Sequence, residues 1–432
     1  MLGGAAVGLV LLVALYLLVT CVSLATVGYV LPDHHFGIGR EHLLRAIVAT
    51  LFAASLIPLF VLARFNFGYL IGLNFYGMIA GFIWISYFTD LGYDHAQARL
   101  SAFTSLAMFL LPAFFVSIPL KRRIAVSSHT MDRLLTLMLV FTLAVILWNA
   151  FYGFAFVSTK QAADLRESLV RPAVLRYLNG ILVVSVLPFA FAYFALRRRY
   201  NKAGISLFLM LLFYPVLLTK TVLFAPAWLV FSLLMFRTIE ARVATIVVSI
   251  VPLTLGLAIY AVASNFQATQ GFAIYVLELV NLRMFAVPSS ALDHYLDFFT
   301  TNPVTHFCQS SFVRAVASCP YARDLSIIFS DRYHVGNLNA SLFATEGIAS
   351  VGPVWAPLSA FVCGLLLSVG NSVSARLPVP LIAVSSGLIV QTLLNVPLSI
   401  TLLSNGLLVL FLLWYITPTG PELVLCEADR SL

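Results

Sequence analysis

The residues best suited to acid–base work are two carboxylates and two histidines. Asp293 and His294 stand side by side in SSALDHYLDFF (289–299), and His334 and Glu346 occur in SDRYHVGNLNASLFATEGIASVG (330–352). A carboxylate within hydrogen-bond reach of a hydroxyl can take its proton, and a histidine can carry a proton near neutral pH. The residues best suited to holding an anion are cations beside apolar runs. Arg283 follows IYVLELVNL, Lys220 sits inside FYPVLLTKTVLFAP, and Arg166, Arg171 and Arg176 punctuate the 158–177 stretch. An arginine fork grips phosphate through two parallel bonds. A lysine at depth in a membrane is a functional-site hypothesis by default, and Thr219 and Thr221 beside Lys220 could add hydrogen bonds to an anion.

Each of these residues also has a plainer reading. Arg283 could pair with Glu278, about one turn earlier. Lys220 could mark a turn and reach water along its own stem. A spacing of five does not keep three arginines on one helical face, and Pro172 interrupts the run, so 158–177 also reads as a solvated loop. Glu346, beside Gly347 and Gly352 and after Asn337 and Asn339, could cap a helix or join an ion pair rather than catalyse.

The elements that must position these groups are membrane helices. The chain has 432 residues, 61% hydrophobic and 10% charged, whereas soluble domains are about half apolar and about a quarter charged. About 20 apolar residues cross a bilayer. That length predicts an all-α polytopic membrane protein of about twelve spans, near 5–30, 45–63, 68–89, 101–120, 134–157, 178–196, 203–219, 221–236, 243–263, 346–370, 378–395 and 398–416. The first run lacks a basic leader and reads as a span rather than a cleaved peptide. The pair 203–219 and 221–236 is short and could instead be re-entrant. No internal repeat or low-complexity linker divides the chain, so residues 1–432 read as one integral domain.

The net charge of +8 is read as orientation and contact with anionic lipid, not nucleic acid. The clusters KRR (121–123), RRRYNK (197–202) and RTIEAR (237–242) fall on one side of this scheme, as do Arg64 and Arg376. Short basic loops are cytoplasmic. Both termini are then cytoplasmic, and 31–44, 158–177 and a large loop at 264–345 face outward.

Within that loop, Leu292, Tyr295, Leu296 and Phe299 alternate with Ser290, Asp293 and Asp297 at helical spacing. This predicts a short amphipathic helix begun after Pro288 and weakly capped by Ser290 toward Asp293. It would either lie on the bilayer surface or close its polar face over a cavity. Cys308 and Cys319 share the loop, and an oxidising compartment would let them bridge. Cys21 and Cys363 read as packing residues and Cys426 as a cytosolic thiol. No Cys/His cluster has zinc-ligand spacing, and no phosphate-binding or serine-hydrolase motif stands in a supporting context.

Three stretches resemble the Wzy-type polymerases of bacterial envelope polysaccharides, also called O-antigen or oligosaccharide repeat-unit polymerases. RMFAVPSSALDHYLDFF (283–299) resembles that family's arginine-, proline- and aromatic-bearing segment. VGNLNASLFATEGIASVGPVWAPL (335–358) resembles its asparagine-rich approach to a glycine-bearing span, and LLTKTVLFAPAW (217–228) its basic turn between two half-length spans. Some members carry Arg-x10-Gly in an external loop; here the nearest pattern is Arg171-x8-Gly180.

The resemblance implies a GT-C-like glycosyltransferase of the bacterial inner membrane, built with a large periplasmic loop that holds short amphipathic helices. It would join oligosaccharide units carried on undecaprenyl pyrophosphate at the periplasmic face, in O-antigen or exopolysaccharide synthesis. It implies no cofactor and no metal, with a flippase and a chain-length regulator as partners besides the lipid bilayer. Arg283, Lys220, Arg171 and Arg176 would hold the pyrophosphate, Tyr295 would touch glycan, and Asp293, Glu346, His294 or His334 would supply the base. A secondary transporter or flippase for a lipid-linked sugar, and an O-antigen ligase, are the alternatives.

Overall fold

A computed structural model describes residues 4–31, 36–121, 126–157, 165, 171–335 and 338–418. Arg166, Asn337 and Cys426, and the arginines of the 121–123 cluster, lie outside the described residues. The described chain is helical, with an isolated bridge between Phe36 and Thr89. Eleven helices are long and apolar enough to cross a membrane. Nine are α1 (Gly4–Val30), α2 (Leu43–Leu62), α3 (Phe67–Ile85), α4 (His95–Phe115), α5 (Ser128–Ala150), α6 (Ala173–Leu196), α7 (Tyr200–Leu217), α8 (Lys220–Thr238) and α9 (Ala241–Ala263). Then come α10 (Gln270–Thr301), the short α11 (Leu325–Tyr333), α12 (Phe343–Ser374), α13 (Val379–Asn395) and α14 (Leu407–Ile416). The chain divides into two compact units. Unit 1 holds residues 1–116, 240–368 and 393–398; unit 2 holds 117–239, 369–392 and 399–432.

In unit 1, α3 is buried along its whole length, as expected of a helix apolar on every face. Its start is fixed by Asn66, whose side chain accepts from Tyr69 N and donates to Phe114 O at the end of α4. Arg242, at the start of α9, donates to Val61 O at the same end. The opposite end gathers the linker after α1, through Phe36, and the turn 86–94 between α3 and α4.

The structure changes three expectations here. The helix expected at 289–299 does not begin there. It is the last part of α10, a continuous helix of 32 residues, about 48 Å long at 1.5 Å per residue. Nine residues before it, Glu278–Ala286, are wound as π-helix, so that Val287 N donates to Leu282 O. The wider turn accommodates Pro288, which has no N–H to give an α-helical ladder. The Ser290 cap is absent; its hydroxyl donates to Val287 O instead.

Second, α10 has the length of a span, but its contacts keep both of its ends at one end of unit 1. Leu277 shares a buried cluster with Val27, Phe36 and Phe88, and Asp297 near the other end accepts from Gly92 N. Between them, Asn281 donates to Ser23 Oγ and Leu253 O, and Ser289 donates to Met78 O.

Third, the span expected at 346–370 is a hairpin. Gly352 takes φ 80° and ψ 164°, a backbone region open essentially to glycine alone. The residues before it fold back on those after it: Ser359 Oγ donates to Glu346 O at 2.7 Å, and Gly347 lies over Ala356. Phe343, at the start of the first arm, packs edge-on between Phe75 and Phe109, in the middle of α3 and α4. The second arm runs beside α4 in the same direction, with Ser101 bonded to Pro353 O at 2.5 Å.

In unit 2, Asn149 and Asn179 exchange amide hydrogen bonds of 2.8 and 2.9 Å and join α5 to α6. Two buried amides that satisfy each other cost little to dehydrate. The pair α7 and α8 are separate helices, divided where Leu218 adopts left-handed backbone (φ 55°). The span expected at 398–416 is likewise broken, at Gly406 (φ 76°).

Gly352→Ala should lower stability by about 1–3 kcal/mol through backbone strain alone, because the added carbon would meet only Val304 Cγ1 at 3.9 Å. Thermal unfolding of the detergent-solubilised protein checks this. Gly204→Ala, at an open helical position, should be neutral or better.

Candidate functional site

Asp293, His294 and Asp297 lie at the end of unit 1 that carries the 86–94 turn. Asp293 and Asp297 are one turn apart on α10 and share a face. Asp293 is buried; its carboxylate accepts from the hydroxyl of Tyr93 and is also bonded to Thr89. Asp297 accepts from Gly92 N at 3.2 Å and from the Tyr333 hydroxyl at 2.5 Å. The Arg332 guanidinium lies 3.7 Å from the same carboxylate. The polar face of this helix is thus covered, by the 86–94 turn over Asp293 and by α11 over Asp297. The physical reason is that each covering segment brings its own donors, so Asp293 is dehydrated and Asp297 half-buried without either being left unbonded.

Both tyrosines are built to stay donors. Burial and the neighbouring Asp293 carboxylate push the Tyr93 hydroxyl well above its ordinary range. Burial and the bond to Asp297 do the same to Tyr333. A phenol that resists ionisation keeps its proton for the carboxylate it serves.

His294 is buried beside this pair. Its Nδ1 donates to Ser290 O at 2.7 Å, since a carbonyl can only accept, and its ring meets Tyr333 edge-on at 4.9 Å. That bond makes Nε2 the acceptor nitrogen of the neutral ring. Tyr295, expected to touch glycan, is instead a packing residue. Its ring stacks on Phe329 at 4.3 Å and its hydroxyl bonds with Thr345. Glu346 is buried on the first arm of the Gly352 hairpin, close enough to Tyr295 and Cys363 to act on both electrostatically.

The remaining candidates stand elsewhere. His334 is exposed and ends α11 in left-handed backbone, φ 56°. Arg283 is exposed on the π-helical part of α10, and no ion pair joins it to Glu278 among the described residues. In unit 2, Lys220 opens α8 just after the break at Leu218. Arg171 donates to Val216 O near that break, and burial draws its pKa down. Arg176 is exposed on the first turns of α6.

A disulfide joins Cys308 to Cys319 in the connection from α10 to α11. Tyr321 Oη donates to Pro303 O at 2.6 Å and steadies the same connection. Cys21 and Cys363 are buried and free.

Sequence reading passed over Tyr93, Thr89, Tyr333 and Arg99. The last is held over the Tyr87 ring at 4.1 Å, with Ser86 O and Oγ each at 3.4 Å. The available signal was TDLGYDHAQAR (89–99), a polar run dense enough to be conspicuous in this chain, which was read only as the gap between two spans.

Comparison with known proteins returned no matching family model, no matching curated protein and no matching solved structure. The site therefore stands on its own chemistry. A dehydrated carboxylate held by two hydroxyl donors, with a second carboxylate one turn nearer water, can take a proton from a hydroxyl and pass it outward.

Tyr93→Phe should destabilise the protein by about 1–3 kcal/mol, because it removes a donor from a buried charge. In an Asp293→Asn background the same change should cost clearly less. A double-mutant cycle on thermal unfolding reads the difference; additive effects would mean the hydroxyl and carboxylate do not act together.

Proposed function

We propose that this chain is a membrane glycosyltransferase that polymerises oligosaccharide units carried on undecaprenyl pyrophosphate. The observation that supports it is the carboxylate pair of buried Asp293 and half-buried Asp297, at the end of unit 1 where the charge rule puts the face away from the cytoplasm. In this reading a sugar hydroxyl of one lipid-linked unit attacks the anomeric carbon of a chain carried on a second lipid. The new carbon–oxygen bond forms as the bond to the lipid pyrophosphate breaks. Asp293 takes the hydroxyl proton, and Asp297 passes it toward water. The products are a longer glycan on the acceptor lipid and a free lipid pyrophosphate.

The leaving group gains negative charge, which cations stabilise most where water is scarce. Arg283 is the cation assigned to it in unit 1, about 15 Å along α10 from Asp293 by the helical rise over ten residues. Arg171 and Lys220 stand near one break in unit 2.

A carrier for a lipid-linked sugar is the second reading, favoured by the Gly352 hairpin and its buried Glu346. Broken helices at membrane depth line substrate paths in many transporters.

Purified protein given a lipid-pyrophosphate oligosaccharide should produce a ladder of longer glycans on a gel. Asp293→Asn should lower the rate by about 100-fold or more, the scale of a lost general base, while Arg283→Ala should abolish the ladder in folded protein. Saturable movement of the lipid-linked sugar across a vesicle, with no ladder from any substrate, would replace the polymerase with the carrier.

A further inference from the structure

The end of unit 2 formed by the α6–α7 turn carries more positive charge than its own packing uses. Three arginines in a row make that turn. Arg198 takes left-handed backbone, φ 57°, and this lets its two neighbours reach the same group. Arg197 Nη1 lies 3.0 Å from Asp132 Oδ1, and Arg199 Nη1 lies 2.7 Å from Asp132 Oδ2. The Asp132 side chain is buried, whereas that of Arg199 is 47% exposed. One carboxylate therefore meets two guanidinium groups, and the cluster is net positive before any other residue is counted.

The surplus grows with its neighbours. Lys202 donates to Thr136 Oγ1 at 2.7 Å and lies over the Phe194 ring. Arg237 donates to Ala195 O at 2.8 Å. Arg133 and Arg198 are exposed, and no carboxylate pairs with Arg198 among the described residues. Asp132 is the acid in the ion pairs described at this turn.

The surface directly along the helix from this charge is apolar. Tyr200 is exposed at the turn. Ile205, Phe208 and Leu211 follow at intervals of three on the open face of α7. Gly204 beside them leaves a notch, since a carbon added there would meet nothing within 4 Å. A basic rim, an aromatic at the boundary and an apolar strip with a notch match the parts of one anionic phospholipid: its phosphate, its glycerol level and an acyl chain.

We propose that the α6–α7 turn is a binding site for an anionic phospholipid, with the phosphate at Arg198 and Arg199 and one acyl chain along Gly204, Ile205 and Phe208. The charge surplus selects the headgroup, because a zwitterionic lipid would bring its own cation to the same rim. The strip selects a lipid over a soluble phosphate. This site lies wholly in unit 2 and does not depend on the reading of the carboxylate pair.

The test is native mass spectrometry of the full chain in detergent, supplied with phosphatidylglycerol or phosphatidylcholine of identical acyl chains. Wild type should retain phosphatidylglycerol about fivefold or more over phosphatidylcholine, the scale expected of a basic side chain facing an anionic headgroup. Arg198→Asn should erase most of that preference, and asparagine tolerates the left-handed backbone there. Gly204→Trp fills the notch without changing charge and should cut retention of phosphatidylglycerol. Equal retention of the two lipids by wild type would overturn the proposal. So would a preference that survives Arg198→Asn, or retention untouched by Gly204→Trp. Displacement of the lipid by glycerol phosphate at matching concentration would also overturn it, since a free phosphate would then be the ligand.

Discussion

A carboxylate removed from water must be given donors, and much of unit 1 is arranged around that requirement at Asp293 and Asp297. An unbonded buried carboxylate would cost several kcal/mol, enough to consume much of a domain's net stability. The donors come from far along the chain. Tyr93 and Thr89 belong to the turn after α3, and Tyr333 and Arg332 close from α11. Holding those donors in place requires the 86–94 turn to be fixed, and the Phe36–Thr89 bridge and the stack of Arg99 on Tyr87 do this. The same requirement, met with opposite chemistry, organises one end of unit 2, where Asp132 is answered by arginines rather than hydroxyls. Asp132 is met by two guanidinium groups, Asp293 by hydroxyls alone among the bonds described.

Much of the architecture was legible in the sequence because the signal for a membrane helix is additive. Twenty apolar residues declare themselves whatever surrounds them, and α1, α8 and α9 begin and end close to where hydropathy alone places them. The path of α10 was not legible, because its apolar content is the same for a helix that crosses as for one that enters and returns to the same end. What distinguishes the two is which residues Leu277 and Asp297 touch, and those lie some 200 positions away. The Gly352 hairpin was hidden for a related reason. A glycine in an apolar run is common in membrane helices, and only its dihedral angles show that the chain reverses there.

The candidate site was half legible. Asp293 and His294 stand out by type, and their helical spacing with Asp297 follows from the sequence. Their partners do not, because tyrosine is an ordinary residue at a membrane boundary and Tyr93 and Tyr333 carry no spacing that ties them to α10. Tyr295 misled for the opposite reason. It has the composition of a sugar-contacting aromatic, but Phe329 takes its face, and that stack forms between elements no local pattern connects. The cations were legible as residues and not as a set, since charge scarcity marks Arg283 and Lys220 individually without saying which surface each one faces.

The hairpin at Gly352 also bears on how the chain is made. Its first arm, from Phe343 to the reversal, is far too short to be held in a bilayer by its own hydrophobicity. During synthesis it has no stable resting place until the longer second arm emerges and can pack against it. The two arms must therefore be delivered together, after α3 and α4 are already in position to receive Phe343. A ribosome that stalls within this hairpin would leave a buried carboxylate, Glu346, with nowhere to fold.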